Sequence, residues 1–509
     1  MLTSPRNRMF ALLTVIVTLA VGFRPGLGTA AAPDTFIPDD DLPALEAVIA
    51  QEMDFFNIPG AAVAVIAGDE VIYAEGFGLR DIENELPFTT DTVFRIGSTT
   101  KSMTALLVAQ AVDQGLLTWD TPVTDLFSAF QTADADLTAQ VTVRDLMGMN
   151  TGLASGLEAG FYWGDWNAAD LLDGIGGQRI DGTFRETYHY NNEVYALAGY
   201  APLVAAGDAP TLDSYANLID RALFAPLGME SAVISDDENA LGENVAQSYE
   251  TSLLTGEPVR MTDPPIGIVA PAGAAWMHIE DMARYVIMQM NGGVTPEGDR
   301  IVSESALAET WAAGVPIAFD APGIADTAYG MGWVTQTYNG VPVRFHDGGW
   351  AGYSTQMFIL PADDLAIVVF ANSSSGGTFG QAVSYSFIEL AHDMEPAAVD
   401  LSHELMAGLD DQIAQARAFI STEIPAPDAL TGQYANGWQI ETRDAGVWLM
   451  RGEWEFQVGY AELVDQYFLV SGGAAGSPIA FTFDNAGTAQ AFSIDLGEGG
   501  MLEVGRETP

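Results

Sequence analysis

Two hydrophobic periods alternate along this chain. Residues 61–67 and 71–78 are apolar runs on either side of Gly68-Asp69, a two-residue hairpin signal. Residues 98–115 change to helical spacing, with Met103, Leu106, Leu107 and Ala111 recurring on one side. Residues 341–345, 354–360 and 365–371 return to a strand pattern, the last two joined by Pro361-Ala362-Asp363-Asp364. Strands at both ends of a segment with helices between them predict an α/β (α+β) unit, an antiparallel sheet packed with helices.

From Glu395 the pattern changes. Leu405, Leu409, Ile413 and Ala416 predict a helix that ends before Pro425-Ala426-Pro427. Short strands punctuated by glycine follow at 430–434, 438–441, 447–450, 455–458, 467–470, 479–483 and 491–494, the pattern of a small antiparallel barrel or sandwich. At the other end, Arg6 and Arg8 precede an apolar run from Met9 to Phe23, then Ala30-Ala31-Ala32 before Pro33. This reads as an export signal cleaved after Ala32, because fifteen apolar residues fall short of the roughly twenty a span needs. An uncleaved anchor is the alternative. The expected organisation is a signal at 1–32, the large α/β unit at 33–395, a helical linker at 396–428 and a β unit at 429–509. The linker prolines mark a hinge that few contacts cross. A secreted or periplasmic protein with no stable membrane span in its mature form is expected.

Charge narrows the partners. Eighteen Lys and Arg stand against 69 Asp and Glu, a formal charge of −51, which argues against nucleic acid. The acids are dispersed, as on a solvated surface suited to a saline setting where salt screens self-repulsion. There are no cysteines, so an exported fold has to rest on its core.

Against that composition stands the chain's one lysine, Lys101, three residues after Ser98 in Phe94-Arg95-Ile96-Gly97-Ser98-Thr99-Thr100-Lys101. If Ser98 opens a helix, Lys101 at i+3 lies on the same face with its amine near the hydroxyl. A serine is a weak nucleophile until a base takes its proton, and a helix N-terminus with partial burial pushes a lysine toward the neutral form a base needs.

Ser98-x-x-Lys101, followed by Gln114-Gly115-Leu116-Leu117, Asp120-Thr121-Pro122-Val123, Val141-Thr142-Val143-Arg144-Asp145-Leu146, Thr151-Gly152-Leu153, Pro226-Leu227-Gly228-Met229 and Pro271-Ala272-Gly273, resembles the serine beta-lactamase and penicillin-binding-protein-like family. The likeness covers roughly residues 50–390 and lies toward the class C-like branch of esterases, D-peptidases and beta-lactamases. It implies a sheet made of N- and C-terminal strands, flanked by helices, with a helical subdomain and the site between. Some members also carry a lipocalin-like C-terminal domain that opens with a Leu-x-Gly-x-Tyr pattern, here Leu430-Thr431-Gly432-Gln433-Tyr434. That domain is read either as a packing appendage or as a lid that selects substrate.

The resemblance implies further site residues. Tyr190-Asn191-Asn192 matches the Tyr-x-Asn element, in which Tyr190 shares proton transfer with Lys101 and Asn192 orients substrate. Tyr188 competes for the tyrosine role but lacks an asparagine two residues later. His346-Asp347-Gly348-Gly349 occupies the Lys-Thr-Gly position, with His346 lining the strand edge and Gly348 and Gly349 leaving room for substrate. The amides of Ser98 and Gly349 are the implied oxyanion hole. Met149 and Asn191 depart from the family, where histidine and serine are usual.

The function expected is an exported serine hydrolase working through an acyl-enzyme on Ser98, without metal or organic cofactor. Its substrates are small esters, amides or peptides, with esterase or D-amino-acid peptidase activity first. A beta-lactamase or DD-carboxypeptidase, or a non-catalytic receptor on the same fold, is the alternative. Histidine at 346 and Asp347 beside it weigh against anionic substrates, while a protonated His346 would weaken that argument.

Overall fold

The computed structural model describes residues 38–507 except 320, 444–445 and 497–500, so the expected signal at 1–32 lies outside the described residues. Among these residues no helix is long and apolar enough to cross a membrane.

The N-terminal hairpin completes a sheet made mostly of C-terminal strands. In spatial order the sheet runs Val315–Pro316, Ile324–Tyr329, Val334–Tyr338, Val341–Trp350, Tyr353–Leu360, Leu365–Ala371, Gly60–Ala67, Glu70–Asp81 and Leu86–Pro87, all antiparallel. Gly60–Ala67 is wholly apolar because both of its faces are covered. Ala61, Val63 and Val65 turn toward Leu45, Ile49, Phe379 and Phe387, from helices Pro38–Phe55 and Gly376–Ala391. Ala62, Ala64 and Ile66 turn the other way, into a larger core with Met103, Leu106, Met282 and Val286. Each Val, Leu, Ile, Phe or Met among these contributes about 1.5–3 kcal/mol on full burial, and each alanine less.

The serine-bearing segment is a 3-10 turn, Gly97–Thr99, running into helix Thr100–Asp113. Every residue from Thr100 to Ala111 is buried, so this helix is an interior axle rather than a half-exposed one. Its hydroxyls need internal partners and find them by bonding back: Thr99 Oγ1 donates to Ile96 O at 2.8 Å and Thr100 Oγ1 to Gly97 O at 2.7 Å. A mostly helical subdomain fills the chain between this helix and the later strands, including Ala168–Gly176, Asn192–Gly199 and Leu212–Ile219.

The C-terminal strands form a nearly closed antiparallel barrel running in order from Gly432–Tyr434 to Met501–Gly505, the latter a strand the hydrophobic pattern had not marked. An isolated bridge between Tyr434 and Arg506 joins first to last. Trp438, Ile440, Val447, Leu449, Phe456, Val458, Phe492 and Ile494 alternate inward and fill it. The short strand Ile420–Ser421 already pairs with Trp454–Ala461, so barrel structure begins ahead of the prolines at 425 and 427. Ahead of the prolines, helix Ala398–Arg417 docks on the catalytic unit through His403, 2.9 Å from buried Glu52, and Arg417 Nε donates to Leu253 O at 2.9 Å. Contacts also cross the expected hinge. Phe161, from the catalytic unit, sits in the barrel core edge-on to Trp438, Trp454 and Phe456.

Candidate active site

Ser98, Lys101, Tyr190 and Asn192 meet at one point. Lys101 Nζ lies 2.9 Å from Ser98 Oγ, 2.7 Å from Asn192 Oδ1 and 2.7 Å from Ala272 O, and Tyr190 donates its hydroxyl to Ser98 Oγ at 2.6 Å. Burial lowers the Lys101 pKa well below the ordinary lysine value, against the opposing pull of Asp347 and Glu193. A neutral amine has two N–H groups and one lone pair. With the N–H groups taken by Asn192 and Ala272, the lone pair faces the Ser98 hydroxyl, which is the arrangement a general base requires.

Tyr190 stands in the opposite state. The residue keeps 38% of its surface exposed, yet desolvation at the crowded site raises its pKa above that of an ordinary phenol, outweighing the lowering by its bond to Ser98, and Asp347 and Tyr188 act in the same upward direction. A neutral tyrosine donating to Ser98 Oγ can pass a proton outward but does not begin as a phenolate. Lys101 Nζ lies 4.7 Å from the Tyr190 ring centre, so the amine and the phenol flank the same serine hydroxyl. Tyr188, the competing choice, packs on Tyr329 instead.

Local structure fixes these side chains. Asn191, where the family usually has serine, caps helix Asn192–Gly199 by accepting Val194 N at 3.2 Å, and its amide nitrogen donates to Leu153 O and Gln178 Oε1. Met149 is fully buried at φ +50° and its carbonyl accepts the His189 amide at 3.0 Å, which anchors the chain just before Tyr190.

The strand carrying residues 346–349 lies against the nucleophile turn. A Cβ on Gly348 would stand 2.1 Å from Ile96 O, and one on Gly97, at φ +55°, would stand 2.6 Å from Gly349 N. Glycine at 348 is therefore demanded by backbone touching backbone rather than by substrate. At Gly349 a Cβ would meet only Tyr353 O at 3.8 Å, so the space there is open, and Gly349 and Ser98 line the same cavity.

His346 does not line that cavity, contrary to the sequence expectation. It is 1% exposed, with Nε2 3.1 Å from the Tyr329 hydroxyl and Nδ1 2.5 Å from the Asp347 carbonyl. The alternation of the strand turns residue 346 inward while 347 faces out. Burial depresses its pKa from 6.5 to about 4, with Lys101 acting in the same direction against Asp347, so it is neutral near pH 7.

The cavity beside Ser98 measures about 370 Å³, and both units build it. The catalytic unit supplies Ser155, Phe161, Trp163, Asn192, Ile266 and Trp350; the barrel supplies Trp454, Leu496 and the loop 472–477. Trp163 stacks on Trp350 at 5.8 Å, and Trp350 meets Trp454 edge-on at 5.7 Å, making an aromatic wall across the junction. Among the described residues no charged side chain lines the cavity. Just behind the wall, fully buried Glu193 accepts the Trp163 indole N–H at 3.0 Å and the Ser155 hydroxyl at 2.7 Å. None of this wall was identified from sequence. Tryptophans at 163, 350 and 454 are scattered along the chain, and only the position of Trp350 directly after Gly349 was a usable signal.

The chain is similar to several known proteins. The chain is 29% identical over 363 residues to unguisins hydrolase ungD' of Aspergillus campestris (strain IBT 28561), covering 69% of this chain and 65% of that protein, so it spans just under two thirds of that relative's length. It is 29% identical over 326 residues to penicillin-binding protein 4 of Amycolatopsis lactamdurans, covering 64% of this chain and 83% of that one. The solved penicillin-binding protein homologue from Pyrococcus abyssi superposes with a TM-score of 0.61 at 20% identity over 91% of this chain and all of that one. SurE superposes at 0.57 and 20% identity over 92% of this chain and all of its own. At such identity these two likenesses concern the fold. The family model described as Beta-lactamase matches residues 45–386, two thirds of the sequence, and the chain belongs to that family.

Proposed function

We propose that the protein is an exported acyl-enzyme hydrolase of neutral, apolar esters. The observation that carries the reading is the Lys101 amine, held by Asn192 Oδ1 and Ala272 O with its third direction on Ser98 Oγ. In the proposed cycle Ser98 Oγ attacks the substrate carbonyl carbon as its proton passes to Lys101. The oxyanion forms against the amides of Ser98 and Gly349, donors worth about 3 kcal/mol each in such sites. As the C–O bond breaks, Tyr190 gives its proton to the departing oxygen and is reprotonated from Lys101. A water, deprotonated by the same pair, then attacks the acyl-enzyme and frees Ser98.

The uncharged aromatic lining favours an apolar acyl group and offers a carboxylate no partner. Short-chain and medium-chain esters therefore rank first, D-amino-acid peptides or amides second and beta-lactams third. Similarity to a protein named as a hydrolase of unguisins supports hydrolysis as the reaction and leaves the ranking to the cavity lining.

The test is labelling by a fluorophosphonate, followed by a panel of p-nitrophenyl esters, D-amino-acid amides and nitrocefin. Labelling at Ser98 that vanishes in Ser98→Ala supports the mechanism, whereas an unlabelled, intact protein points to a non-catalytic receptor. Nitrocefin turned over faster than p-nitrophenyl acetate would overturn the ranking and leave the acyl-enzyme in place.

A further inference from the structure

Glu250 stands where the catalytic unit meets the barrel. It lies on strand Tyr249–Thr251, paired with Pro258–Arg260, and is 5% exposed. Its carboxylate accepts two successive backbone N–H groups from the barrel, Gly472 at 2.5 Å and Gly473 at 2.9 Å. Two neighbouring amides turned toward one point form an anion-binding concavity, which opposes the rise in the Glu250 pKa that burial causes. The glycines are needed for that turn, since both have positive φ, +89° and +76°, and a Cβ on Gly472 would stand 2.2 Å from Glu455 O.

The base of this strut is rigid. Tyr249 N donates to Asn372 O at 3.1 Å and Ser374 N to Tyr249 O at 2.9 Å, while the Tyr249 hydroxyl donates to Glu83 at 2.6 Å and accepts the Ile82 amide at 2.8 Å. Its tip holds the start of the loop that walls the cavity, because Gly472, Gly473, Ala474, Ala475 and Ser477 all line it. Leu253, Ile420, Phe468 and Val470 bury the surrounding junction. A carboxylate placed there fixes the distance between the catalytic unit and one side of the cavity.

We propose that Glu250 is a positioning residue that holds the loop 472–477 at its working height over Ser98, and so sets how well a long apolar acyl group is gripped. The proposal rests on the hydrolase reading and adds the residue that tunes its substrate range. Glu250 touches neither Ser98 nor the cavity, so a small acyl group that needs no barrel wall should not sense its loss.

The full-length enzyme, Glu250→Gln and Glu250→Ala are compared on p-nitrophenyl acetate and p-nitrophenyl octanoate, with hydrogen exchange across residues 470–478. For Glu250→Ala the acetate kcat/KM should stay within about twofold, KM for the octanoate should rise about tenfold with kcat nearly unchanged, and the loop amides should exchange faster. Glu250→Gln keeps the size and one acceptor oxygen, and should fall between. Equal losses on both esters, or faster exchange with an unchanged octanoate-to-acetate ratio, would reduce Glu250 to a structural contact and overturn the proposal. Unchanged exchange would overturn it as well. If the unmodified protein hydrolyses neither ester, the hydrolase reading fails separately. The affinity for octanamide, read by tryptophan fluorescence, then decides: a tenfold weaker Kd in Glu250→Ala sustains the proposal and an equal Kd ends it.

Discussion

Lys101 owes its lowered pKa chiefly to burial, and the sign of its pH dependence follows. The base has to be neutral, so kcat/KM for p-nitrophenyl acetate should climb as pH rises through the lowered lysine pKa and level off well below 10.5, the ordinary value. A rising limb at 10.5 or above would contradict the role. Lys101→Arg, whose guanidinium keeps its proton, should lose about a thousandfold or more in kcat, as should Ser98→Ala. The Ser98→Ala/Lys101→Ala pair should be scarcely worse than either alone, because the two act as a unit. His346 titrates in a different window. The unfolded chain takes up its proton near 6.5 and the folded one only near 4, so falling pH through that interval costs stability, about 1.4 kcal/mol per unit. Denaturant titrations at pH 7.5 and 5 should show a smaller difference in His346→Gln than in the unmodified protein. An unchanged difference would mean that the buried imidazole is not the source.

Among the elements, the turn Leu157–Asp165 couples the two units most directly. Phe161 is 7% exposed inside the barrel core, Arg451 bonds to the Phe161 carbonyl and to Asp165, and Trp438 Nε1 donates to the Tyr162 hydroxyl at 3.2 Å. Phe161→Ala should cost about 3–5 kcal/mol, the usual range for a large ring removed from a core. The loss should show as proteolysis of the barrel at temperatures where the catalytic unit is still intact. Simultaneous loss of both units would indicate one cooperative core. Helix Asn192–Gly199 couples capping to chemistry: Asn191→Ala should cost about 1 kcal/mol in stability and also lower kcat/KM, since the neighbouring Asn192 is one of the acceptors that orient Lys101.

For the whole molecule, the −51 charge predicts a melting temperature that rises with added salt, and equal stability at low and high salt would refute it. A chain ending at residue 417, ahead of the strand Ile420–Ser421, should still be labelled at Ser98. It should lose about tenfold or more in its preference for octanoate over acetate, because Trp454, Leu496 and the 472–477 loop leave the cavity. It should also be less soluble, with Phe161 and Leu253 uncovered.

Local pattern was enough for what depends on neighbours along the chain. Period-two and helical spacing placed the hairpin, the serine-bearing helix and most barrel strands. The i+3 spacing put Lys101 beside Ser98, while Tyr190, Asn192 and Gly349 came from the family resemblance rather than from local pattern. Tertiary structure decided what depends on distant partners. His346 is neutral because it is buried against Tyr329 and neighbouring strands, partners that no local pattern records. Gly348 is required by Ile96, some 250 residues earlier in the chain. The aromatic wall exists because Trp163, Trp350 and Trp454 are brought together across two units, and contacts such as those of Phe161 and Glu250 hold the barrel against the cavity. Hydrophobic period fixes which face of an element is buried, but not which other face buries it.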